Sequence, residues 1–228
     1  MSPSLVQPSP ALSKLERTSL KQGVIDQIHG AILRGELKSG RQITELGLAH
    51  SLGVSQPTIR EALIELEHRG FIQRKSARKT FITALSEREI SEMYQVRARL
   101  ETLVVELLAS SKTRNLEECE AAHRRMAQAA RGRSTSEFCD ADLEFHRALW
   151  RAAGNRTAAE LLEQLVPRLF AFVIIQRPPR HRARLRSSAA EHGELLRLIG
   201  AGDRNAACKL MEASLRHARS EDAELTEA

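Results

Sequence analysis

Four side chains able to grip a ligand fall on what read as the inward faces of helices in the last two-thirds of this 228-residue chain. Asp142 and His146 stand four apart on a stripe they share with Phe138, Phe145 and Leu149. That spacing sets two side chains next to each other on a helix, where a carboxylate and an imidazole hold either one metal ion or one hydrogen-bonded acid. His192 lies seven residues from both Leu185 and Ile199, on the apolar side of a later helix, and is a third inward candidate. Arg97 lies seven residues from both Ile90 and Val104. A buried guanidinium needs an anion, and two are open: an internal Glu or Asp, or a ligand carboxylate held by the planar fork. Three protein ligands plus water is also the pattern of catalytic zinc, which makes a metal-dependent hydrolase one alternative. No separate inward acid is evident as its general base.

The elements that must position these groups read as helices throughout. Ser86-Glu87-Arg88-Glu89 is a capping box that starts a helix running to about Ala109, with Ile90, Met93, Tyr94, Leu100, Val104 and Leu107 as its apolar stripe. Helices over about 114–131, 136–153 and 156–176 follow, broken by Gly132 and by Gly154-Asn155. After Pro178-Pro179 a helix over about 184–199 carries His192. The last, capped by Asp203, has Ala207, Leu210, Met211 and Ser214 on one face and His217 one turn on. The Arg-rich RPPRHRARLR ahead of His192 reads as a solvated loop, or as a strand of cations reaching the pocket mouth or a neighbouring domain. Cys119, Cys139 and Cys208 lie near apolar positions and read as core.

Residues 1–85 read differently. Leu20, Val24, Ile28 and Ile32, with Ile25 and Leu33 beside them, predict a helix over 19–34 ended by Gly35. A short helix from Thr44 runs through Leu46, Leu48 and Leu52 to Gly53. Ser55 caps a third, Gln56 to His68, whose first turn tolerates Pro57 because no amide there has an intrahelical acceptor. Ala62, Leu63 and Leu66 face inward, while Gln56, Thr58, Arg60 and Glu61 occupy the first turns, where a recognition helix meets base edges. Two β-prone runs, FIQR and TFIT, then flank the basic tip Lys75-Ser76-Ala77-Arg78-Lys79, as a wing on a phosphate backbone requires.

Charge and composition agree. Residues 1–85 hold 12 Lys and Arg against 7 Asp and Glu, while the remainder holds 23 against 22, so the excess positive charge sits on the segment that reads as a polyanion-binding module. The longest apolar stretch, Leu165 to Ile175, is interrupted by Pro167 and Arg168, which predicts no transmembrane helix. Residues 1–17, rich in Ser and Pro without a signal-peptide pattern, read as a disordered lead-in. Three cysteines with no CxxC pair fit a reduced, cytoplasmic protein and exclude zinc fingers and disulfide scaffolds.

The first segment resembles the GntR-type winged helix-turn-helix transcription regulators, through AILRGELKSG, LGVSQPTIREAL and the closing TFIT, in order. The resemblance implies a DNA-binding set of Thr44, Ser55, Gln56, Thr58, Arg60, Arg78 and Lys79. The chain departs from the commonest pattern, which has Arg at Gln56, Thr at Pro57, Pro at Thr58 and Gly at Lys79. Gln pairs best with adenine where Arg pairs with guanine, so Gln56 is expected to move the half-site preference. Residues 86 to about 218 resemble the all-helical FCD ligand-sensing domain of the FadR-like branch, through MYQVRARLE, DLEFHRALWRAAGN and AAEHGELLRLIGAGDRNAACKLM.

The two resemblances imply a fold that is mostly α: a winged domain over 18–85 with three helices and a small β-hairpin, a bundle of six to seven helices over 86–220, and a tail from 221. They imply a homodimer that probes an inverted repeat of double-stranded DNA with two recognition helices, and a repressor controlled by a small organic acid rather than an enzyme or membrane protein. By the same resemblance Arg97 and Asn155 bind the effector. Asp142, His146 and His192 match three family ligands for a divalent metal, Zn or Ni, while the fourth falls on Ser214, with His217 as a substitute only if the last helix shifts. Either a three-ligand site keeps open positions for water or effector, or metal has been abandoned, as in acyl-CoA-binding relatives. A DNA binder without any effector is the other alternative.

Overall fold

The computed structural model describes residues 17–76, 79–132, 135–176 and 182–224. Most of the expected lead-in, Arg78 at the wing tip and the first half of the Arg-rich run lie outside the described residues. In chain order the elements are α1 (Arg17–Leu33), β1 (Gln42–Ile43), α2 (Glu45–Leu52), α3 (Gln56–His68), β2 (Ile72–Ser76), β3 (Lys79–Ile82), α4 (Glu87–Ser110), α5 (Glu117–Ala129), α6 (Thr135–Ala152), α7 (Arg156–Gln176), α8 (Arg182–Ala201) and α9 (Arg204–Glu224).

Local chemistry sets the helix-turn-helix. The Thr44 side chain accepts the Gly47 amide and starts α2, which ends where Gly53 takes a left-handed φ of 64°. Two residues later Ser55 caps α3 by accepting the Thr58 amide, with Pro57 in the first turn. Ile59, Ala62, Leu63 and Leu66 of α3 are buried, and α1 packs on α3 with Val24, Ile25, Ile28 and Ile32 buried in the same core. The expected stripes were too wide at three places: Leu20, Leu33 and Leu46 are exposed, because an isolated apolar side chain at the rim of a stripe need not be covered.

The wing is a three-stranded antiparallel sheet in the order β1-β3-β2, not the two-stranded hairpin expected. Gln42 pairs with Phe81 and Ile43 with Thr80 across β1 and β3, while Ile72 pairs with Ile82 across β2 and β3. A two-residue strand carries too few positions to show an alternating pattern.

Both halves of the Ser86–Glu89 capping box form, starting α4 directly after the wing. Within the six-helix bundle α4 packs against α6, α7, α8 and α9. Ile90, Met93, Tyr94 and Val104 are buried as expected, together with Val105 and Leu108, whereas Leu100 and Leu107 are half-buried at the edge of the face. The tail expected from 221 is instead the end of α9. Asp222 is buried, and the Tyr94 hydroxyl donates to it at 2.6 Å.

The two domains meet at Gly70, just past the end of α3. Its carbonyl accepts from the fully buried Thr83 hydroxyl, and its φ of 80° is one that L side chains rarely adopt. Across from it runs α7, with Pro167 inside the helix. A methyl group on Gly70 would overlap the Pro167 carbonyl and lie 2.7 Å from the Arg168 amide, so the contact is backbone against backbone.

Candidate functional site

The site grows out of two inward faces. On α6 the four-residue spacing turns Asp142 and His146 toward the bundle axis, while Phe145, fully buried beside them, sets its ring edge-on to both His146 and His192. His192 enters from α8. The two imidazole Nε2 atoms are 3.3 Å apart, and Asp142 Oδ1 lies 3.2 Å from that of His192 and 3.6 Å from that of His146. Asp142, His146 and His192 are the one group of metal-type ligands that converge in this way among the described residues.

The hydrogen bonds behind the rings fix what faces forward. His146 Nδ1 lies 2.7 Å from Glu101 Oε2, and an ionised carboxylate can only accept, so the ring carries its proton on Nδ1. His192 Nδ1 lies 2.7 Å from the Ser188 carbonyl, with the same consequence. With Nδ1 held from behind, both rings turn Nε2 toward each other and toward the buried Asp142 Oδ1. Such a cluster is satisfied either by a proton on His192 Nε2 shared with Asp142 or by a cation set among the three atoms. Atoms bonded at about 2.1 Å to a tetrahedral ion lie about 3.4 Å from one another, which the three observed separations bracket. The donor set fits a divalent ion.

Protons and a metal compete for that point. Burial alone would push the His192 pKa down, but the Asp142 carboxylate and its hydrogen bond raise it, since a second proton on the ring lets Nε2 donate to Asp142. Burial would likewise raise the Asp142 carboxyl, and His192 beside it carries it below its usual value. Metal entering here displaces a proton.

Arg97, 4% exposed, has its internal anion. Its Nε donates to Glu101 Oε1 at 2.8 Å, and one terminal nitrogen lies 3.3 Å from His146 Nε2. The other terminal nitrogen makes no hydrogen bond among the described residues, and Arg97 lines the adjoining cavity. Of the two partners left open by the sequence, the structure supplies the internal Glu, with part of the fork remaining for a ligand. Glu101 is wholly buried and takes Arg97, His146 and, at 3.4 Å, the Trp150 indole. Burial would raise its pKa, but His146 and Arg97 hold it down to about 2. The expectation that no further acid faces inward is thus corrected. The signal was present: Glu101 follows Arg97 by four residues on the same stripe.

A partly open cavity of about 170 Å³ lies beside these groups between α4, α6, α7, α8 and α9. Asn155 is not part of it. Its side chain accepts the Ala158 amide and caps α7, the ordinary task of Asn between two helices. His217 touches the cavity wall but stays outside the ligand cluster, being 68% exposed with Nε2 3.3 Å from Glu221. Ser214 carries a hydroxyl that donates to Glu191 at 3.1 Å.

In the winged domain, Gln56 is exposed at the start of α3, and Lys79 is exposed on β3. Thr44, Ser55 and Thr58 are engaged in capping, with the Ser55 and Thr58 hydroxyls 2.8 Å apart. Arg60 forms a two-pronged ion pair with Glu45 of α2, rather than with Glu61. That pair ties the two helices of the motif together.

Residues 20–82 match the model of the bacterial regulatory proteins of the gntR family, and residues 92–217 match that of the FCD domain. The chain is a GntR-family protein with an FCD domain. The "Probable D-xylose utilization operon transcriptional repressor" of Paenarthrobacter nicotinovorans is 32% identical over 142 residues, 62% of this chain and 63% of that protein. The chain thus matches less than two-thirds of that relative's length. The gluconate operon transcriptional repressor of Bacillus licheniformis is 28% identical, covering 80% of this chain and 73% of that protein. In fold, the chain is similar to a GntR regulator from Rhodococcus sp. RHA1, with a TM-score of 0.71, 20% identity and coverage of 90% and 98% of the two chains. Both of these relatives are named as transcriptional repressors. Among the described residues no helix is long and apolar enough to cross a membrane.

Proposed function

We propose that this GntR-family protein is a transcriptional repressor of the cytoplasm, that it binds an inverted-repeat operator as a homodimer, and that a small carboxylic acid in the FCD cavity controls its affinity for DNA. The winged domain takes residues 18–85 and the sensing and dimerisation domain extends from 86 to at least 224. The repressor names of the matched relatives support the direction of control.

The observation that carries the reading is the convergence of the two Nε2 atoms and Asp142 Oδ1 to within 3.6 Å of one another. Asp142, His146 and His192 would hold a divalent ion, Zn or Ni, and bound there it would supply a positive centre to which a carboxylate oxygen is drawn. Ser214 brings a hydroxyl in place of a fourth imidazole, so three protein ligands leave room for the effector. Glu101 would hold His146 in the Nδ1–H form and engages Arg97 through Nε, so that a terminal nitrogen of this cavity-lining residue would be left to donate to the same carboxylate. Occupation acts through its different affinity for DNA-competent and incompetent states, a coupling of about 1–3 kcal/mol in comparable systems, or roughly 5- to 150-fold in operator affinity.

At the operator, Gln56 would read a base edge from the start of α3, with Thr58 and Ser55 beside it, while Lys79 and Arg78 would follow the phosphates from the wing. Arg60 would contribute mainly by bracing α3 against α2 through Glu45.

Elemental mass spectrometry of untagged protein, paired with operator binding in the presence and absence of acids, tests the reading. About one divalent ion per chain, lost in His192→Ala, is the expected result. No stoichiometric metal and no uptake from added Zn or Ni would remove the metal from the mechanism and leave a cavity organised by Arg97 alone.

A further inference from the structure

The two helices that carry Asp142, His146 and His192 both pack against α5, whose buried stripe is Cys119, Ala122 and Met126. At the edge of that stripe stands His123, half-buried and part of neither the ligand cluster nor the cavity wall. Its Nε2 lies 2.8 Å from the Ala189 carbonyl of α8, and a carbonyl can only accept, so the ring donates from Nε2. Ala189 follows Ser188, whose own carbonyl takes His192 Nδ1. Two consecutive carbonyls of α8 are thus each held by an imidazole, one belonging to the ligand and the other arriving from α5.

His123 reaches His192 by a second route as well. Its ring stands edge-on to Phe145 with centroids 6.2 Å apart, and Phe145 stands edge-on to His192 at 4.9 Å. The room for His123 is made by Gly193, the residue next to the ligand: a methyl group there would lie 3.0 Å from His123 Cε1 and 3.1 Å from Nε2. Glycine in a helix interior is less favourable than alanine, and here its missing side chain admits the ring.

The fold has other holds on α8. Arg114 Nη1 donates to the Ile199 and Gly200 carbonyls at 2.9 and 3.0 Å, and Leu195, Leu198 and Ile199 are buried. Those anchors all lie past His192, whereas His123 acts just before it. An imidazole tip stands roughly 5–6 Å from its helix axis, so a rotation of about 10° carries Nε2 about 1 Å, well beyond the tolerance of about 0.2 Å in a metal–ligand distance.

We infer that His123, admitted by Gly193, is a positioning residue for the ligand His192: through the Ala189 carbonyl it sets the rotation of α8, and so the approach of Nε2 to Asp142 and His146. This rests on the metal reading above and adds a residue that touches none of the three ligand atoms.

The test is the Zn affinity of the full chain, by competition with a chromophoric chelator, beside urea denaturation of the chelator-treated protein. His123→Ala weakens Zn binding about tenfold or more, as expected for a group that orients a metal ligand. His123→Gln, whose amide nitrogen can donate in place of Nε2, stays within about threefold of the unaltered chain. Gly193→Ala by itself weakens Zn binding about fivefold or more, by pushing the ring aside, but by less than about twofold in the His123→Ala background, where the methyl displaces nothing. The urea midpoint of that double variant lies above that of His123→Ala, because alanine is the better helix former, so stability and metal affinity part company. Zn binding unchanged by His123→Ala, lost equally in His123→Gln, or weakened by Gly193→Ala even without the ring overturns the positioning role and leaves the metal reading standing. Should His123→Ala fail to fold, Gly193→Ala alone decides, and an affinity within about twofold of the unaltered chain's overturns the inference. An unaltered chain that takes up no Zn overturns both.

Discussion

Replacing Glu101 by Gln removes one charge from the centre of the helical domain and tests the network most directly. In the folded protein the carboxyl pKa is carried from 4.5 to about 2. That difference of about 2.5 units, at 1.36 kcal/mol each, makes the ionised form worth on the order of 3 kcal/mol to the fold. Removing one partner of a buried ion pair costs about 3–5 kcal/mol by independent measure, because Arg97 would be left without its anion. Because the folded pKa is the depressed one, the contribution is fully present above pH 4.5 and fades as pH falls toward 2. Urea denaturation of chelator-treated protein should therefore show Glu101→Gln less stable by about 3 kcal/mol at pH 7 and by less than half of that at pH 3. Zn or Ni affinity should fall about 10- to 100-fold, since a neutral amide holds the His146 proton more weakly than the carboxylate does. Glu92→Gln, which breaks an exposed pair with Arg88, serves as the control and should leave stability nearly unchanged. A loss below about 1 kcal/mol at pH 7, or one equal at both pH values, would refute the placement of an ionised Glu101 behind Arg97 and His146.

Two further substitutions probe the rest of the molecule. Gln56→Arg should move the preferred base at one operator position from adenine toward guanine by about 1–3 kcal/mol, read by selection from randomised half-sites; an unchanged preference would remove Gln56 from the reading set. Gly70→Ala should cost more than Gly35→Ala in thermal unfolding, because both glycines have φ above 70° but a methyl on Gly35 meets nothing while one on Gly70 meets the α7 backbone. The shared left-handed strain is about 1–2 kcal/mol, so equal losses would show that the domain contact contributes nothing.

Much of this architecture was legible wherever a signal is local. Ser55, Pro57 and the four-residue beat of Ala62, Leu63 and Leu66 marked α3, and Ser86 with Glu89 marked α4, because capping chemistry is written in adjacent residues. The inward turn of Asp142, His146 and Arg97 followed from periodicity alone. Glu101 was passed over for the opposite reason: a stripe read by its apolar members hides a charge that is buried because Arg97 pairs with it and His146 and Trp150 donate to it. Asn155 was expected to bind an effector because of its motif, yet its position between two helices already gave it a backbone amide to accept. Asp222 looked like tail because nothing in its own neighbourhood points to Tyr94, 128 residues earlier. Pairings across the bundle leave no trace in local spacing.

The junction at Gly70 bears on how such a chain can vary. A contact between side chains tolerates substitution, since a neighbour can change rotamer or size to compensate. Where one main chain rests on another, the geometry belongs to the peptide units themselves, and position 70 is closed to any residue with a side chain unless α7 and its Pro167 move away. The cavity, by contrast, is lined by side-chain ends, Glu191 and Ser214 among them, that take no part in that main-chain contact. The lining of the cavity can therefore change in one part of the molecule while the junction with the winged domain keeps its shape.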